Sequence, residues 1–163
     1  MAEGASLRFL LIVTGSTLRA EQMDRPLAYY LKQRVEEALA SSNDPDLADY
    51  EVHVVADFRW LHDEALQAMA TISLGGPGVN ELAHRWLEEV PVALAVNERY
   101  FIQMDPEPAD AHASIWGMDN ATTQIAVSVF LDRYLPRFLE RCATIPPAAL
   151  DLDDEGEPGG EDD

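Results

Sequence analysis

The chain has 163 residues, 47% of them hydrophobic, and a formal net charge of −19. That length supports one domain with a proper core, while a surface this acidic repels nucleic-acid phosphates and anionic lipid and so argues against nucleic acid and membranes as partners. Cys142 is the single cysteine, which excludes an intrachain disulfide and fits a reducing, cytoplasmic setting.

In chain order, RFLLIVTGS (Arg8 to Ser16) is a continuous apolar run closing on Gly15, and it reads as a buried strand. The apolar segment, Leu7 to Val13, is too short to span a bilayer and has no small-residue cleavage site after it. A helix follows from Arg25 to Ser42: Pro26 suits its first turn, and Leu27, Tyr30, Leu31, Val35, Ala38 and Leu39 recur at helical spacing. The turn NDPD leads to a second strand, YEVHVVADF, then to a short helix, LHDEALQAMA. TISLGG is a third strand, and Val79 to Glu89 is a helix with Leu82, Trp86 and Leu87 on one side. PVALAVNERYFIQMD divides around Asn97 and Glu98 and predicts a hairpin. PEPADAH is a loop, ASIWGMDN a strand, and Ala121 to Cys142 a long final helix with a bend expected at Pro136.

Strands alternating with helices predict a three-layer Rossmann-like or flavodoxin-like α/β fold. Its sheet is mostly parallel, with helices on both faces and a late hairpin. The domain runs from residue 1 to 145. The rest, 146–163, is an acidic tail whose last thirteen residues (DLDDEGEPGGEDD) hold eight acids and no base, the composition of a solvating disordered segment. The final helix is apolar around much of its circumference. It either packs between two layers or offers a face to a partner protein or a second copy of the chain.

Open parallel sheets bind ligands beyond the carboxyl ends of their strands. Three such ends carry unusual loops: TGST after the first strand, GGPGVN after the third, and GMDNATT before the final helix. Helix N-termini leave amides unpaired, glycines let a ligand approach backbone, and hydroxyls add donors. Gly15, Ser16, Gly75, Gly76, Gly78, Asn80, Asp119, Asn120, Thr122 and Thr123 are therefore the candidate binding residues, expected to border one polar cleft. Each loop also has a purely structural reading. The glycines can supply turns, Asn80 can start a helix, and Asp119 and Asn120 are good N-caps.

The loops match neither G-x-G-x-x-G nor the Walker A pattern. The histidines (His53, His62, His84, His112) show no metal-ligand spacing, and no metal is expected. Asp57 and Arg59 follow the second strand where a ribose-binding acid can sit, but no glycine fingerprint precedes them. Cys142 lies near a helix C-terminus, where the dipole opposes a reactive thiolate.

GGPGVNE is similar to the glycine-rich loop of lysine-decarboxylase-like phosphoribohydrolases, whose earlier second glycine-rich motif has no counterpart here. A wider likeness spans Thr71 to Leu135. Gly75, Gly76, Pro77 and Asn80, followed by Gly117, Asp119 and Thr123, resemble the Gly-Gly-Pro-x-x-Asn and Gly-x-Asp-x-x-x-Thr motifs of a domain in archaeal surface-layer and related envelope proteins. That resemblance implies a shared βα framework in which the two loops meet. Two functions follow from these features. One is a non-enzymatic binding or assembly module. The other is a small enzyme that holds a nucleotide or phosphorylated metabolite at the glycine loops. The scarcity of cations near those loops favours the first, since phosphate sites usually recruit one.

Overall fold

In the computed structural model, residues 8–89, 93–96, 99–104 and 111–145 are described. The hairpin's central Asn97 and Glu98, most of the PEPADAH loop and the acidic tail lie outside the described residues. Six strands form one sheet: β1 (Arg8–Thr14), β2 (Tyr50–Ala56), β3 (Ala70–Leu74), β4 (Ala93–Val96), β5 (Tyr100–Met104) and β6 (His112–Gly117), in the order β2-β1-β3-β6-β5-β4. β1 runs parallel to β2 and β3, and β3 runs parallel to β6. The predicted hairpin supplies the antiparallel strand, β5, which pairs with both β4 and β6.

The two-residue period of a strand divides β1 between two cores. Leu10 and Ile12 pack with Leu31 and Val35 of α1 (Arg25–Ser41) and with Val127, Phe130 and Phe138 of the final helical segment. Leu11 and Val13 face the other way, onto Trp60 of α2 (Asp57–Leu61) and Leu82 and Trp86 of α4 (Glu81–Glu89). Between those two helices lies the single turn α3 (Glu64–Gln67). The sheet is thus the middle of three layers, as the alternation predicts.

The final segment comprises α5 (Asn120–Val129), a π turn (Phe130–Tyr134) and α6 (Leu135–Thr144). The irregularity expected at Pro136 takes the form of that widened turn. Proline lacks an N–H and its ring crowds the carbonyl four residues back, and a π turn relieves both conflicts. Another π turn, Ala20–Asp24, stands at the same offset before Pro26. Helix therefore begins well before Arg25. Helical backbone starts at Leu18, and the Thr17 hydroxyl accepts from the Ala20 N–H at 3.2 Å. Most apolar side chains of the final segment are spent in the domain's own core, among them Phe130 and Phe138. Removing the fully buried Phe130 ring would cost about 3–5 kcal/mol. Among the described residues, no helix is long and apolar enough to cross a membrane.

Candidate ligand cleft

β1, β3 and β6 are adjacent and parallel, so their carboxyl ends share one edge of the sheet. The chain leaves β1 for β2 on one side and later returns to β3 on the other. That reversal is the switch point at which open α/β sheets leave a crevice. All three glycine-bearing loops meet there.

Toward β1 and β2 the edge is closed by the chain's own side chains. Asn80 caps α4: its Oδ1 accepts from Leu82 N at 2.9 Å and Ala83 N at 3.3 Å. Its Nδ2 donates to the Val13 carbonyl at 3.1 Å, the Leu74 carbonyl at 2.9 Å and Ser73 Oγ at 3.2 Å, tying β1 to β3. Asp57 takes the next free amide, Glu81 N, at 2.8 Å, and also accepts from Phe58 N at 2.7 Å and from the Ser16 hydroxyl. The first three amides of α4 are therefore all occupied, and Asp57 is a structural tie with its acceptors in use. Gly15 is required by packing, because a Cβ there would collide with the Val79 carbonyl. Gly75 has φ of 107°, in the left-handed region, and a Cβ would lie 2.7 Å from Asp24 Oδ2.

Toward β6 the edge opens into a cleft of about 260 Å³. Gly76, Gly78, Asp119, Asn120 and Thr123 line it, together with Arg19, Asp24 and Trp116. Five of the ten sequence candidates thus converge, whereas Gly15, Ser16, Gly75, Asn80 and Thr122 stand outside the lining and have structural partners. Asp119 and Thr122 form a reciprocal cap on α5, with Thr122 N donating to Asp119 Oδ1 at 2.8 Å and Asp119 N donating to Thr122 Oγ1 at 3.0 Å. These bonds from Thr122, backbone first and then hydroxyl, hold the Asp119 carboxyl below the usual carboxylate range. The Thr123 hydroxyl donates to the Asp119 carbonyl at 2.8 Å and accepts from Gly117 N at 3.0 Å, so it pins the strand end although it borders the cleft.

Asp24 and Trp116 are the residues the motif reading missed. Asp24 is 7% exposed and its carboxylate makes no capping bond to α1. Burial pushes its pKa up, and the positive charge of Arg19 opposes that rise. The signal was present in the spacing. Ala28, Leu31 and Val35 form the buried stripe of α1, and one step of four residues back from Ala28 falls on Asp24. An acid therefore occupies a position where an apolar residue is expected. Trp116 stacks on Phe101, with ring centroids 4.4 Å apart, and its buried indole N–H has no partner. Asn120 Oδ1 is likewise buried and unpartnered.

None of the histidines lines this cleft. His112 stacks on Trp86 at 4.6 Å, and His53 is an exposed neighbour of Glu51. Cys142 is fully buried, which pushes its thiol up to about 12. Among the described residues, no three His, Cys, Asp or Glu side chains are grouped to hold a metal. The arrangement around the cleft presents acceptors backed by apolar walls. Comparison with protein-family models, with curated proteins and with solved structures finds no match to this chain.

Proposed function

We propose that this protein is a non-enzymatic binding module on a Rossmann-like framework, which takes its ligand in the cleft between the loops after β3 and β6. One observation carries the reading: carboxylates and an amide oxygen already occupy the helix N-termini where an anion would bind. Asp57 and Asn80 take the amides of α4, and Asp119 caps α5. A phosphate would have to displace these caps and sit beside negative charge. The volume of about 260 Å³ also falls below the ~300–1,000 Å³ usual for drug-sized ligands, which argues against a nucleotide. The cleft lining includes no cysteine, lysine or histidine.

A role in assembly, of the kind the envelope-domain resemblance implies, belongs to the same proposal. Association of copies through the final helix would use the α1–α5 face, where Tyr30 is 43% and Ile125 51% exposed. A cytoplasmic setting is part of the reading too, and it rests on the single cysteine.

The test is a thermal-unfolding screen with ATP, AMP, ribose 5-phosphate and inorganic phosphate. A ligand specific to the folded state raises the midpoint by mass action. No saturable rise is expected from this set. A rise that Gly76→Ala or Asn120→Ala abolishes would favour the phosphorylated-metabolite enzyme instead.

A further inference from the structure

One carboxylate lines the cleft with no hydrogen bond to cap its helix, and two other lining residues carry buried polar atoms without partners. Asp24 is more than nine-tenths buried, lines the cleft and makes no side-chain hydrogen bond to its own helix, and Arg19 acts on it through charge. Asn120 also lines the cleft, and its Oδ1 is buried and unpartnered. The N–H of Trp116, a third lining residue, is buried without an acceptor. Leaving such groups unpaired lowers stability, so each requires an explanation. Packing does not explain Asp24. Gly75, its close neighbour, has no side chain to cover it, and its own helix makes no use of its carboxylate.

We propose that the cleft binds a small ligand bearing a protonated primary amine, whose ammonium donates to the Asp24 carboxylate. The inference rests on the binding-module reading and specifies its ligand. An ammonium matches this carboxylate because it supplies several donors and no acceptor, together with the opposite charge. Trp116 and Met23 provide apolar wall for the carbon chain. Arg19, an exposed lining residue, is near enough to act on Asp24 electrostatically. It favours an amine that carries an acceptor or a carboxylate of its own on that side.

The experiment uses the full chain and follows backbone amide and indole NMR signals in 150 mM NaCl during titration with 1,4-diaminobutane. The uncharged match is 1,4-butanediol, and glycine provides an amine with a carboxylate. Saturable shifts at Gly76, Asn120 and the Trp116 indole are expected with at least one of the two amines and not with the diol. Asp24→Asn keeps the size of the side chain and removes its charge. It should weaken binding at least tenfold while raising the thermal midpoint of the free protein, because a buried charge has been removed. Shifts that persist in Asp24→Asn would mean diffuse attraction to an acidic surface and would overturn the inference, as would a lowered midpoint in that variant. Silence from both amines overturns the ligand assignment alone. Shifts of the same signals by AMP would overturn the binding-module reading beneath it.

Discussion

The segment from Gly75 to Asn80 borders two neighbourhoods that are equally buried and opposite in character. On the β1–β2 side, Asn80 and Asp57 are 1% and 3% exposed, and their side chains accept or donate at nearly every available position. On the β6 side, Asp24 is also buried, yet its side chain makes no bond to its own helix, and Trp116 and Asn120 keep unpaired atoms. Burial of polar groups therefore does not mark a site by itself. Satisfied, such groups fasten a loop to its sheet; unsatisfied, they point to something the chain does not supply.

Variants on the two sides should separate accordingly. Asn80→Ala should have the largest effect, a loss on the order of 3 kcal/mol in urea unfolding, because it strands buried carbonyls of β1 and β3 and uncaps α4. A loss under about 1 kcal/mol would erase the contrast between the two sides. Gly75→Ala comes next, at about 1–3 kcal/mol, since it forces a side chain into the left-handed region against Asp24. It should also disturb the cleft, which amide shifts at Asn120 would report.

Asp119→Ala should lower the thermal midpoint by less than Gly75→Ala, through loss of the α5 cap. Its pH dependence sharpens the contrast. The folded Asp119 carboxyl lies below its ordinary value of 3.8, so its contribution is complete above that value and is lost as pH falls through the folded one. Asp24 has the opposite sign. Its folded value lies above 3.8, so its penalty is full at neutral pH and is relieved as pH falls through the folded value toward 3.8. At neutral pH Asp119→Ala should therefore be less stable than the parent and Asp24→Asn more stable, and both should converge on it as pH falls, Asp24→Asn above 3.8 and Asp119→Ala below it. Parallel profiles would place both acids in the same role.

The smallest effect is expected for Gly76→Ala, within about 0.5 kcal/mol of the parent. Gly76 is outside the left-handed region, and its Cβ would meet Trp116 at 3.4 Å, an ordinary contact. A large loss of stability there would assign the loop's glycines wholly to folding.

Much of this was legible in the residues. Continuous apolar runs separated by helical spacing determine the parallel sheet, and the split around Asn97 marks the hairpin. The convergence of Gly76, Gly78, Asp119, Asn120 and Thr123 also followed, because parallel strands place their carboxyl ends together. What spacing did not disclose is which donors are already taken. Asn80 and Thr123 look like ligand-binding residues in a motif, and they are consumed by carbonyls and amides that only folding brings near. The start of the first helix was hidden for a local reason. Pro26 resembles an N-terminal proline, and the π turn lets helix continue on its upstream side.

That π turn carries a consequence for how the cleft is encoded. It holds one residue more than the α-helical turn it replaces, and each residue of an α-helix advances about 100° around the axis. Deleting Met23 would leave Asp24 in phase with Ala28 and Leu31, because nothing after it changes. Everything upstream would rotate by about 100°, turning Ala20 out of the core and carrying Arg19 away from the acid's side. The electrostatic influence of that cation on that carboxylate is thus written in chain length as much as in residue identity. A shift of one position in the count would dissolve it with both Arg19 and Asp24 still in the chain.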